Sequence, residues 1–326
     1  MNILPQAHKE QTNLAPAYMP TFPDTIVRGR QDFLSVLLRL TGMELYKIRC
    51  RTMSKVLAII SILSVLLLFL VVLLVTLVVV QKSGQINPSP LLPPLSLYLA
   101  SQVVLILGEV LIIILVGTLV GGEYGVGTIR LLLTRGPKRS QFLLAKVAAA
   151  LVCCAVGTIV MIALGVVLGL VFNLTTGVPF TFDFFTPTWS GHAILYILII
   201  IFSLFVYSML ALFLATLGRS TAAGIAGALT WLLLGETILR TILDVIGTAT
   251  GGATGDFLRA IPNYLIGSNT GALLQNQDQS LGFFGTSAFS SPSSISDLQA
   301  LLVLLVYVAA LIGLSLWLNQ KRDITN

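Results

Sequence analysis

Six separate stretches of the chain are apolar for roughly 20 residues or more, the length at which a helix rising about 1.5 Å per residue crosses bilayer hydrocarbon. They lie near Val56–Val80, Leu97–Val120, Val147–Phe172, Ala193–Leu217, Ala222–Leu243 and Leu298–Leu318. A water-soluble core has no use for so much apolar length: 56% of the residues are hydrophobic, 10% are charged, and the mean hydropathy is +0.95. Hydrocarbon offers backbone amides no partner, so only helices or closed barrels span it, and these runs lack the period-two alternation of a barrel strand. The predicted fold is an all-α integral membrane protein with six transmembrane helices.

Lys and Arg accumulate at the cytoplasmic ends of spans, and here they divide unevenly. The segment before the first run holds Lys9, Arg28, Arg30, Arg39, Lys47, Arg49, Arg51 and Lys55, and the loop after the second holds Arg130, Arg135, Lys138, Arg139 and Lys146. Sixteen of the nineteen fall on the side that carries both termini, which predicts a multi-pass protein of the cell (plasma) membrane with both ends cytoplasmic. The net charge of +6 follows from that topology and from attraction to anionic headgroups, so it does not point to nucleic acid. Residues 1–30 lack the basic start, short apolar core and cleavage site of a signal peptide and read as a polar arm. Residues 31–55 carry Leu34, Leu37, Leu38, Leu45 and Ile48 on one helical stripe with Arg39 and Lys47 opposite. A helix lying in the headgroup layer and an ordinary cytoplasmic helix both fit that pattern. Residues 56–319 then form the span domain and 320–326 a cytoplasmic tail.

Among the outer loops, 81–96 is stiffened by Pro88, Pro90, Pro93 and Pro94, and 173–192 carries aromatic residues suited to the membrane interface. Asn173-Leu174-Thr175 fits the glycosylation pattern, a match common by chance. The longest loop, Asp244 to Asp297, interrupts Gly, Ser and Asn with an apolar patch around Pro262, so a short re-entrant or surface helix is expected there rather than free coil. Cys50, Cys153 and Cys154 have neither metal nor redox spacing and read as small apolar residues.

One compact polar element stands out between the second and third runs. Gly121, Gly122, Gly125 and Gly127 let the chain leave the membrane, Thr128 to Thr134 can form a short helix, and Arg135-Gly136-Pro137 stops it before Ser140 caps the next span. The unit would present Arg130, Arg135, Lys138 and Arg139 to a soluble partner. Snorkelling that merely enforces topology accounts for the same cations equally well.

The run Glu123, Gly127-Thr128, Arg130, Leu132, Pro137, Arg139 and Lys146 resembles the cytoplasmic signature of the type 2 ATP-binding-cassette permease family, the membrane subunits of many ABC exporters. The resemblance covers most of the chain. It implies an interfacial helix before six spans (31–51), a coupling helix at Thr128–Thr134 and re-entrant helices within Asp244–Asp297. The residues it assigns to coupling are Glu123, Gly127, Thr128, Arg130, Leu132, Arg135, Pro137 and Arg139. It further implies alternating-access export of an unidentified substrate, two copies of a separate ABC ATPase subunit that hold ATP and Mg, a second permease subunit as homodimer or heterodimer, and contact with membrane lipid. The Asn- and Pro-rich arm before Gln31 departs from the family pattern.

The residues agree with a chain that has no motor, cofactor or enzymatic chemistry of its own. No G-x-x-x-x-G-K-[ST] run cradles a nucleotide, and His8 and His192 are the only histidines, without H-E-x-x-H or a nucleophile elbow. Ala223 with Gly227, Gly224 with Ala228, and Gly165 with Gly169 have small-xxx-small spacing, which serves a dimer contact or packing within one bundle. Glu109 and Glu236 lie inside spans, where an acid faces a pathway or a polar neighbour; Arg240, four residues after Glu236, offers it local neutralisation. A secondary transporter or channel is the rival class, although mid-depth helix breaks and an internal repeat are not evident. A membrane anchor that recruits an ATPase without transporting is another.

Overall fold

The computed structural model describes residues 33–83, 93–125, 139–174, 184–281 and 295–321. Every regular element among them is helical, and six helices are long and apolar enough to cross a membrane. Before the spans lies α1 (Phe33–Cys50), separated from α2 (Thr52–Ser83) by Arg51 alone. Helix α1 lies within the expected Gln31–Arg51, and Thr52–Lys55 form the first turn of α2. Next come α3 (Leu95–Val103), a π-turn at Val104–Gly108, and α4 (Glu109–Gly125), one continuous span, followed by α5 (Arg139–Asn173).

The fourth span, α6 (Pro187–Gly218), starts with Pro187 at its first position and the Thr186 side chain accepting from the Trp189 amide at 3.1 Å. It ends at Arg219, whose left-handed backbone (φ 48°) turns the chain at once into α7 (Thr221–Thr230), capped by Ser220 Oγ accepting from Ala223 N. A second π-turn, Trp231–Gly235, leads into α8 (Glu236–Thr250). The helix thus runs on to Thr250, well beyond the Leu243 at which the apolar run ends, because its polar last turns remain helical past the hydrocarbon-length core. Gly251 and Gly252, both at positive φ, reverse the chain into α9 (Gly252–Ala260), which returns along α8. A 3-10 turn at Ile261–Tyr264, α10 (Ile266–Leu281) and the last span α11 (Asp297–Lys321) complete the described chain. The expectation of helix rather than free coil after Asp244 thus holds for the described residues of that segment.

The centre of the bundle is α6, which packs on α4, α5, α7, α10 and α11 and buries Tyr196, Ile200, Val206, Met209 and Leu212 completely. Small residues let the helices close in. A Cβ on Gly224 would lie 2.6 Å from Ala215 Cβ, one on Gly117 2.7 Å from Ile225, and one on Gly165 2.4 Å from Ala100 Cβ. The small-xxx-small positions Gly224 and Gly165 are therefore used inside this bundle. By contrast, α2 and α8 lie at the edge, with Ile59, Leu63, Leu67, Ile238 and Val245 exposed as lipid-facing surfaces would be.

A candidate coupling site and a buried acid pair

Three elements meet where α4 ends and α5 begins. Glu44 of α1, Glu123 of α4 and Lys146 of α5 are 2%, 5% and 2% exposed, so three ionic side chains share a nearly dry site. Lys146 Nζ lies 2.9 Å from Glu123 Oε1 and 3.1 Å from Glu44 Oε2. Lys47 Nζ closes the ring, 2.7 Å from Glu44 Oε1 and 3.2 Å from Glu123 Oε1, and both ammonium groups lie over the Phe142 ring. Two cations against two anions leave the cluster neutral, which is what makes burial of Glu44, Glu123 and Lys146 tolerable. Burial pulls the Lys47 pKa down, but the hydrogen bond and charge of Glu44, and then of Glu123, outweigh it and hold the group above its ordinary value. Arg51 Nη1 adds a fifth tie, donating to the Thr118 carbonyl of α4 at 3.2 Å.

Of the leucine stripe predicted for α1, Leu34 and Leu38 are 68% exposed, whereas Leu37, Leu45 and Ile48 are partly buried beside Leu40, Thr41 and Glu44, the residues that α1 buries. Reading the sequence alone misses Glu44, although a signal is there: it is the only acid of α1, amid basic residues, three positions before Lys47.

Of the residues assigned to coupling, Glu123 belongs to this cluster, and its Oε2 is buried with no hydrogen-bond partner among the described residues. Arg139 is the first residue of α5. Gly127, Thr128, Arg130, Leu132, Arg135 and Pro137, with the expected helix at Thr128–Thr134, lie outside the described residues.

Two further acids, Glu109 and Glu236, lie inside spans, each with its own hydrogen-bond partners. Glu109 Oε1 accepts from Ser203 Oγ at 2.8 Å. Glu236 Oε2 accepts from the Gly267 amide at 2.6 Å, and its Oε1 from Trp231 Nε1 at 3.1 Å. Arg240 donates to Ser268 Oγ rather than to Glu236, whose hydrogen-bond donors are neutral, while the Arg240 charge still acts on that carboxylate. Both carboxylates act electrostatically on Tyr207.

Each acid directly follows a π-turn, and the sequence repeats: Leu105-Ile106-Leu107-Gly108-Glu109 and Leu232-Leu233-Leu234-Gly235-Glu236. This local match of five residues is not the domain-scale internal repeat of secondary transporters. The extra residue of a π-turn rotates the downstream side chains relative to a regular helix, and such turns are frequent at functional sites. No group of three or more metal-ligating side chains occurs among the described residues.

Residues 91–325 match the family described as "Protein of unknown function (DUF2705)". The chain belongs to that family. The match takes in five of the six spans and both acid-bearing π-turns, and it begins after α2, leaving Glu44 and Lys47 outside. No curated protein matches this DUF2705 chain.

Proposed function

We propose that this DUF2705 chain is the membrane-spanning permease subunit of an ATP-driven transporter of the type 2 ABC kind, an exporter without its own motor. The observation that carries this reading is the buried ionic ring of Glu44, Lys47, Glu123 and Lys146. It fastens both stems of the 126–138 segment, the end of α4 and the start of α5, to α1. A push on that segment from a partner would then move three helices as one body rather than bend a loop, which is the requirement for rigid-body alternation of access.

In this reading α1 lies at the cytoplasmic face of the cell membrane, both termini are cytoplasmic, and α9 to α10 form a re-entrant cap on the outer side. Two copies of an ATPase bind ATP and Mg and seat on 128–134. A second permease subunit, identical or related, completes the pathway. The apolar spans favour a lipid-like or amphipathic cargo.

The test is purification from native membranes. A nucleotide-hydrolysing subunit is expected to accompany the chain and to be lost when residues 128–134 are replaced by a Gly-Ser linker, with resistance to SDS unfolding unchanged. Cargo movement by the purified chain alone would refute the proposal.

A second reading, a cation-coupled carrier, is favoured by the acid that directly follows each π-turn. It predicts transport driven by an ion gradient without nucleotide and abolished by Glu109→Gln.

A further inference from the structure

A cleft of about 160 Å3 separates part of α2 from the bundle. Ser54, Leu57 and Ser61 of α2 form one wall, Gly108 lies at its π-turn end, and Gly157 and Thr158 of α5 face α2. It is unfilled space rather than loose packing. A Cβ on Gly157 would meet no atom within 4 Å, and the hydroxyls of Ser54 and Thr158 are buried with no hydrogen-bond partner among the described residues. Interiors seldom leave such voids, and a buried hydroxyl without a partner costs about 1–3 kcal/mol. The opposite face of α2 is open, with Ile59 and Leu63 more than half exposed.

Beyond one end of the cleft, outside its lining, stands a basic residue. Arg51, between Ile48 and Ser54 of the lining, donates from Nη1 to the Thr118 carbonyl, one turn beyond Leu115 of the α4 wall. That bond uses one of the five N–H donors of a guanidinium. Arg49 and Lys55, two residues before and four after it in the chain, are exposed. A narrow apolar slot beside a guanidinium with unused donors has the complementarity of a lipid: chain in the slot, phosphate at Arg51.

We propose that this cleft binds one anionic phospholipid, drawn from the leaflet next to α1, as a wedge between α2 and the bundle. Its acyl chain reaches Gly108, the last residue of the π-turn that carries Glu109, so occupancy bears on the packing of that turn. The site stands on its own geometry and does not depend on an ATPase partner.

Native mass spectrometry of the full chain, incubated with phosphatidylglycerol, phosphatidylcholine of the same acyl chains, or inorganic phosphate, tests it. The expected result is one phosphatidylglycerol retained, at least about tenfold over phosphatidylcholine, with no retention of inorganic phosphate. Arg51→Gln should bring that preference close to unity, and Gly157→Leu should abolish retention of both lipids. Ser61→Leu, which fills the cleft from α2, replaces Gly157→Leu if the latter fails to fold. Equal retention of the two lipids by the wild-type chain, retention unaltered by the filling variant, or a dimer that retains no lipid would overturn the proposal.

Discussion

At the scale of residues, Lys146 satisfies two acids with one ammonium from a site 2% exposed, whereas the Lys47 side chain, making the same two contacts, is 34% exposed. Removing a buried partner strands charge, so Lys146→Met is expected to cost about 3–5 kcal/mol, and Lys47→Met, where water screens the loss, about 1 kcal/mol or less. SDS-induced unfolding in mixed micelles measures both, and equal effects would contradict the ring. Glu236→Leu leaves the Gly267 amide and the Trp231 indole N–H without an acceptor, at about 1–3 kcal/mol each; Glu236→Gln, which keeps one acceptor oxygen, should cost clearly less in the same assay. Outside the spans, burial pushes the Asp278 carboxyl up to about 6, the bond from the Tyr196 hydroxyl opposing that rise. The folded state then holds this proton more tightly than the unfolded chain, whose carboxyl titrates near about 3.9. Its contribution to stability is fully present below the unfolded value and is lost as pH rises through about 6. Unfolding midpoints should decline between about pH 4 and pH 6, and Asp278→Asn should remove that part of the decline.

At the scale of elements, close contact between helices carries the design. A Cβ on Gly121 would lie 2.4 Å from the Thr221 amide nitrogen, so Gly121→Ala must push α4 from the start of α7. A loss of about 1–3 kcal/mol is expected, against almost none for Gly122→Ala, whose Cβ meets nothing within 4 Å. The same unfolding titration decides between them. This difference shows where the sequence is readable. Gly121 and Gly122 look alike in the chain and both suit a loosened span end, yet one is a helix contact and the other is not. Helix existence is legible because apolar length alone demands it. The π-turns are not, since they keep helical hydrogen bonding and leave hydropathy unchanged; only the repeated Leu-x-Leu-Gly-Glu marks them.

For the whole molecule, six spans are legible from hydropathy, and their ends are not: α5 begins at Arg139, eight residues before the apolar run, and α8 continues to Thr250. The ionic ring is half legible. Glu123 and Lys146 belong to the motif that flanks the polar segment, whereas Glu44 sits about 80 residues earlier, beyond the reach of any local pattern. The proposed coupling to an ATPase requires that the ring, and the segment it frames, face the cytoplasm. The direct measurement is labelling with a membrane-impermeant maleimide in a chain whose Cys50, Cys153 and Cys154 are replaced by Ala, comparing Ser140→Cys at the start of α5 with Phe185→Cys ahead of α6. The cytoplasmic arrangement predicts that Ser140→Cys reacts only in inside-out vesicles and Phe185→Cys only in intact cells. Labelling of Ser140→Cys from outside intact cells would contradict it.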